Sequence, residues 1–475
     1  MADRLLDFLL VERQDPKKLA PNERIIHFNE IYSQFKEDSS KEQSHRCLDC
    51  GNPYCEWKCP VHNYIPNWLK LVQQGKIIEA AELCHQTNSL PEICGRICPQ
   101  DRLCEGACTI NDDFGAVTIG SIEKYIVDTA FAMGWTPDLS NVVKTNFRVA
   151  IVGAGPAGLA CADVLSRNGV EAVVFDRYDD IGGLMLYGIP NFKLDKQVLA
   201  TRKQIFEKQG ITFQCNTTIG KDISFAQILK DFDAVFIGTG AYQPITGNIT
   251  GLDSANVVLA LPFLTASTKK IQKKTLTKLE KEVLTTSINE RVVVLGGGDT
   301  AMDCVRTAIR LKAKTVTCVY RRDEKNMPGS AREVANAKEE GIKIIYNSQP
   351  TAIISNERSE VKQVTVAETT LQQSIGLNSR AEYIVNHEKL SSIPASKVLI
   401  AFGYKPEPHP WFEEMGIAFD KNTHKVLTKN KLPYQTSNQK IFSGGDMVRG
   451  ADLVVTAVYD GREAAHSIVK YLHAQ

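Results

Sequence analysis

Eight cysteines fall in two short runs near the start of this chain, and their spacing is the first sign of chemistry. The stretch CLDCGNPYCEWKCP places Cys47, Cys50, Cys55 and Cys59 before Pro60, and the stretch CGRICPQDRLCEGAC places Cys94, Cys98, Cys104 and Cys108. Nine of the thirteen cysteines precede residue 109, and only Cys161, Cys215, Cys304 and Cys318 follow. Thiols this dense bind metal, pair as disulfides or pack as small apolar groups. The start, MADRLLDFLLVERQ, lacks the continuous apolar core of a signal peptide. No apolar run approaches the ~20 residues that span a bilayer, so a cytoplasmic, reducing setting is expected and disulfides are the weaker reading. Structural zinc favours pairs of C-x-x-C with four ligands per site. A run closing in x3-Cys-Pro is the spacing that holds iron–sulfur clusters, with the last cysteine serving the other cluster. Iron–sulfur ligation is therefore the reading adopted, with zinc and structural thiols as the alternatives. Eight cysteines suffice for two four-iron clusters. Cys84, alone in a helix-like segment, reads as core.

Two glycine motifs follow. In VAIVGAGPAGLA, Gly153, Gly155 and Gly158 come directly after an apolar strand and open a helix. The first glycine permits a tight turn, the second lets backbone N–H groups approach a pyrophosphate, and the third lets helix and strand pack closely. The next strand, EAVVFD, ends in Asp176, 18 residues past Gly158, where a carboxylate accepts ribose hydroxyls and disfavours a 2′-phosphate. A late IFSGGDMVRG adds Gly445 and Asp446 after another strand. Alone Asp446 could be a helix N-cap; with the first motif it points to FAD. The second motif, VVVLGGGDTAMD, offers Gly296, Gly298 and Ala301, and its following strand ends in Arg321 and Arg322 instead of an acid. Guanidinium groups bind a 2′-phosphate that a carboxylate would repel, so this site is expected to select NADPH. Arg332 is a further candidate for that phosphate or for a surface ion pair.

These residues need elements to place them. At 475 residues the chain suggests about three domains. Helix-like segments such as YIPNWLKLVQQGKIIEAAELCHQ accompany the cysteines, and the strand–glycine–helix units recur 143 residues apart. The expected fold is α/β, with two Rossmann-like dinucleotide-binding domains preceded by a helical iron–sulfur domain. Its boundaries are residues 1–145 for the iron–sulfur domain, 146–255 with 396–475 for FAD, and 256–395 for NADPH. The Lys- and Thr-rich stretch 266–290 reads as a solvated surface excursion, and 350–395 as strands and turns. A net charge of +1 points to neither nucleic acid nor an anionic membrane.

Taken in order, the cysteine runs, GAGPAG, GGGDTAMD, VYRRDEKNMPGSARE and SGGDMVRGADLVVTAV resemble the small (beta) subunit family of NADPH-dependent glutamate synthase along nearly the whole chain. The N-terminal part of dihydropyrimidine dehydrogenase is similar. The resemblance implies an NADPH-dependent flavin/iron–sulfur oxidoreductase with FAD and two [4Fe-4S] clusters. It would act as an electron-input subunit for a large (alpha) subunit that makes L-glutamate from L-glutamine and 2-oxoglutarate. The alternative is a reductase serving another acceptor such as ferredoxin. A scaffold with structural nucleotides and clusters is disfavoured by two intact dinucleotide motifs. No single residue is assigned as catalytic, since a flavin would mediate hydride transfer. No C-x-x-C or C-x4-C occurs beyond residue 108, so the electron exit is expected through the cysteine module and not a redox disulfide. Glutamine hydrolysis and glutamate formation would belong to the partner. The relative's pattern, and the Cys59-Pro60 ending, imply a crossed pairing of Cys59 with Cys98, Cys104 and Cys108. Cys47, Cys50 and Cys55 would then be completed by Cys94 or by Glu123, which falls near that relative's non-cysteine ligand.

Overall fold

The computed structural model describes residues 6–285, 290–372, 382–428 and 431–474. Two five-stranded sheets, every strand parallel to its neighbours, form its centre. The first runs Ile441–Ser443, Ala234–Ile237, Arg148–Val152, Glu171–Phe175, Thr212–Gln214. The second runs Val257–Leu259, Lys397–Ile400, Arg291–Leu295, Thr315–Val319, Lys343–Ile345. Arg148–Val152 and Arg291–Leu295 are exposed at their first residue and buried at the other four. That is why they read as unbroken apolar runs: helices cover both faces of a parallel sheet.

The glycine motifs sit where each sheet's central strand turns into a helix, Pro156–Arg167 in the first and Asp299–Arg310 in the second. The long C-terminal helix Val454–His473 lies against Pro156–Arg167. A Cβ at Gly461 would stand 2.0 Å from the carbonyl oxygen of Ala157, so only glycine allows this approach. The C-terminal segment thus completes the first sheet, as its pattern suggests. The boundary expected at 396 falls early, however: Lys397–Ile400 pairs inside the second sheet. Its fully buried KVLI run is as suited to one sheet as to the other, and register alone assigns it.

Strands Ser348–Ser355, Val361–Leu371 and Tyr383–Pro394 form an antiparallel sheet beside the second unit; within the expected 350–395 strand region, 373–381 lie outside the described residues. The stretch 266–290 is only partly a solvated excursion. Ala266, Ser267 and Thr268 are buried on helix Ala260–Ile271, and Val283 and Leu284 join the same core; 286–289 lie outside the described residues.

The N-terminal module is helical. Helices Ile65–Gln73, Ile77–Thr87 and Ile119–Ala132 bury Trp68, Leu69, Val72, Ala80, Ala81, Ile122 and Ile126 in one core. Cys84 is fully buried within it, as expected. Among the described residues no helix is long and apolar enough to cross a membrane.

Candidate functional site

A cavity of about 440 Å³ opens where three parts of the chain converge. The first sheet's turns contribute Gly153, Gly155, Asp176, Gly444 and Asp446. The second unit contributes Asp299, Thr300 and Asp303, and the cysteine module contributes Ile97, Cys98 and Pro99. The volume lies within the range of small-molecule sites.

The glycines divide into two kinds. A Cβ at Gly153 would meet the Gly238 carbonyl oxygen at 2.4 Å, and one at Gly158 the Gly153 carbonyl oxygen at 1.9 Å; both are demanded by packing. A Cβ at Gly155 meets nothing within 4 Å, and the same holds at Gly298. Open space at the middle glycine of each motif is the cradle that a pyrophosphate needs, so the residues fit a dinucleotide in each unit. Gly296 belongs to the packing kind, with its Cβ position 2.2 Å from the Ala401 carbonyl oxygen, and Ala301 is buried in the helix below.

Asp176 is buried, which raises its pKa, but its oxygens accept backbone N–H groups from Ala154 at 2.7 Å and Tyr178 at 2.8 Å. It braces the turn it serves and still borders the cavity. Asp446 is not the N-cap of its helix; Gly445 is, at φ +67°, and its N–H donates to the buried Asp460 at 3.1 Å. Burial pushes the Asp446 carboxyl up to about 7. Asp460, which the sequence reading missed, also takes a bidentate pair from Arg449 at 2.7 Å and a hydroxyl from Tyr434 at 2.8 Å. Its only sequence signal is an acid inside an apolar helix face.

Lys193 and Asp303 were missed as well. Lys193 Nζ lies 2.9 Å from Asp303 and 3.7 Å from Glu333. Burial opposes the charge on Lys193, yet these carboxylates outweigh it and raise the ammonium's pKa. Burial raises Asp303 to about 6 despite the lysine.

Arg321 and Arg322 follow the strand Thr315–Val319 and lie over the ring of Tyr383, at 5.0 and 5.3 Å. They stand outside the shared cavity, beyond the end of the second unit's strand Thr315–Val319. Arg332 does not join them. It turns to the cysteine module, donating to the carbonyl oxygen of Arg96 at 3.0 Å and lying over Tyr32.

The cysteines sort into two groups. Cys47, Cys50, Cys55 and Cys108 line one small apolar hollow with Leu48, Leu69, Ile110 and Val117. Burial pushes the Cys47 and Cys55 thiols up to about 12, with Cys108 adding to both. Cys59, Cys98 and Cys104 lie outside that hollow, and after burial and Glu105 the charge of Cys59 acts on the Cys104 thiol. A bond from Cys94 raises Cys98; burial, then the charges of Glu123 and Cys94, act on Cys59. Glu123 is itself pushed up to about 8 by burial and accepts amide hydrogens from Asn63 and Asn88, at 3.2 and 3.4 Å. Cys108 therefore lines the hollow of the first run, whereas Cys59 does not. Cys94 and Glu123 act on the Cys59 thiol and are not among the groups acting on Cys47. Both donor sets fit iron–sulfur ligation. Among the described residues no three His, Cys, Asp or Glu converge as ligands of a single ion; a four-iron cluster asks for a wider ring, since each thiolate binds its own iron.

Two parallel dinucleotide-type units sharing a cavity with a helical cysteine module define an oxidoreductase of the pyridine nucleotide-disulphide class. The model of that family, pyridine nucleotide-disulphide oxidoreductase, matches residues 147–461, and the family described as dihydropyrimidine dehydrogenase domain II, 4Fe-4S cluster, matches 24–135. The glutamate synthase [NADPH] small chain of Halomonas elongata is 54% identical over 99% of this chain and 100% of its own. That of Escherichia coli is 53% identical over 99% and 100%. The chain belongs to the glutamate synthase small-chain family. It is also similar to a longer E. coli chain, AegA, at 52% identity over 97% of this chain and 70% of that one. Among solved structures, FprA from Mycobacterium tuberculosis shares the fold, with a TM-score of 0.58 at 18% identity over 70% of this chain and 85% of that one.

Proposed function

We propose that this chain is the electron-input subunit of a glutamate synthase, oxidising NADPH at FAD and passing electrons through two [4Fe-4S] clusters to a large subunit that forms L-glutamate from L-glutamine and 2-oxoglutarate. The observation that carries this reading is the single cavity bordered by Gly155, Asp299 and Cys98. On this reading it would bring a flavin cradle, a nucleotide-binding helix start and a cluster ligand to one place. A bound flavin accepts the nicotinamide's electron pair and releases electrons singly, which is what iron–sulfur clusters require.

The chain's own residues serve that exchange. Gly153, Gly155 and Gly158 present the first helix start to the FAD pyrophosphate, and Asp176 faces the ribose. Gly445 turns the chain so that Asp446 borders the cavity; a carboxyl held partly protonated near neutral pH is able to donate to a phosphate or hydroxyl oxygen. Gly296, Gly298 and Ala301 place the second helix start for NADPH, with Arg321 and Arg322 at the 2′-phosphate. Lys193 borders the cavity in a buried ion cluster with Asp303 and Glu333, which fixes the second unit's wall there. Cys59, Cys98 and Cys104, with Cys94 or Glu123, would hold the cluster beside the flavin. Cys47, Cys50, Cys55 and Cys108 would hold the second, farther along the exit. The domains proposed are those expected from sequence, with the second unit extended to include Lys397–Ile400.

Similarity to AegA supports a second reading in which the same reductase serves another acceptor. Native purification separates the two. A co-eluting larger chain with glutaminase activity, and glutamate formed from NADPH only in its presence, is the expected result. A free reductase that feeds ferredoxin instead would overturn it.

A further inference from the structure

The cavity has an aromatic wall that neither glycine motif supplies. His409 and Trp411 border it, and they reach it from the segment that follows the second sheet. Three rings are stacked there. Phe225 lies parallel to Trp411 with centroids 4.1 Å apart and an interplanar angle of 11°; Trp411 lies parallel to His409 at 4.9 Å and 6°. Phe225 and Trp411 are buried, so the stack is fixed at its inner end. Its outer end is the imidazole. One face is taken by Trp411, and Nε2 is paired with the Thr239 hydroxyl at 3.2 Å. Burial lowers the pKa of His409 despite the nearby Glu407, so the ring is neutral near pH 7.

The position along the cavity follows from the neighbours. Thr217 donates its backbone N–H to the carbonyl oxygen of Asp176 at 2.8 Å, which ties the residues after the third strand to the ribose-facing acid. Trp411 packs on Gly220 in that same stretch; a Cβ there would come within 2.7 Å of the indole. His409 therefore stands at the end of the cavity that Asp176 marks. Beyond a ribose bound by Asp176, a dinucleotide presents its purine.

We propose that His409 is a cofactor-binding residue whose outer ring face receives the adenine of the bound FAD, as the last member of the Phe225–Trp411–His409 stack. The assignment rests on the reading of this cavity as the FAD site. Bases stack on aromatic faces strongly enough that truncation to alanine weakens binding by roughly tenfold or more. The test uses the full chain stripped of flavin and titrated with FAD and with FMN, which lacks the adenosine half. His409→Ala should weaken FAD by about tenfold or more, leave FMN unchanged, and His409→Phe should restore FAD to within about threefold. Unchanged FAD affinity in His409→Ala, an equal loss for FMN, or no rescue by phenylalanine would overturn the assignment. A wild-type chain that binds neither flavin overturns the reading of the cavity itself, and the role of His409 with it.

Discussion

Gly155 separates a cofactor requirement from a folding requirement at one residue. Its backbone sits at φ −74° and ψ 179°, open to any side chain, and its Cβ position faces empty space. Gly155→Val should therefore leave the fold intact, with an unchanged thermal midpoint, and purify without flavin absorbance. Full retention of FAD would refute the cradle. Gly158→Val, in contrast, should fail to fold, because its Cβ would collide with the Gly153 carbonyl. Arg321 and Arg322 are read in the same way. Replacing both with alanine removes charge-assisted bonds to a 2′-phosphate and should raise KM for NADPH about tenfold or more, with KM for NADH nearly unchanged. Equal loss with both nucleotides would show that the arginines do not read the phosphate.

The short helices of the cysteine module decide which thiols meet. Helix Tyr54–Lys58 carries Cys55 and ends at Cys59, whose backbone leaves the helix in an extended conformation. On the proposed assignment the two cysteines serve different clusters although only three residues lie between them. Cys98 ends helix Pro91–Ile97 in the same fashion and faces the cavity. Cys108→Ala should then remove the cluster signal that depends on Cys47, Cys50 and Cys55. Cys104→Ala should remove the other. Iron content and electron paramagnetic resonance of the reduced variants provide the measurement. Loss of the same signal in both variants would restore the pairing of Cys108 with Cys104.

At the scale of the whole molecule, electron transfer requires that the cysteine module stay docked on the first unit. Arg202, fully buried on helix Lys196–Lys208, makes that joint. It donates to both oxygens of Glu92, at 2.8 and 2.6 Å, and to His85 Nε2 at 2.8 Å. Its guanidinium also lies over Phe131 and Phe206. Arg202→Met would leave Glu92 charged and buried without its partner, a loss of about 3–5 kcal/mol. The variant should bind FAD yet pass electrons to the clusters slowly, and proteolysis should release the N-terminal module early. An unchanged melting profile would place the joint elsewhere.

The sequence by itself determined what depends on local geometry. A tight turn, a close backbone approach and a strand buried on both faces each demand particular residues within a few positions, so Gly153, Gly155, Gly158, Gly296 and Gly298 could be read in order. The cysteine spacing was legible for the same reason. Only the tertiary structure decided what depends on distant segments meeting. Cys108 reaches Cys47 across 61 residues, a meeting that the spacing of either run alone does not encode. Lys193 and His409 carry no motif, and Asp303 only closes the GGGDTAMD run without a role of its own there; each is an ordinary residue until three separate parts of the chain close around one cavity. Strand Lys397–Ile400 is the same case, since its apolar run suits either sheet and hydrogen-bond register alone assigns it to the second.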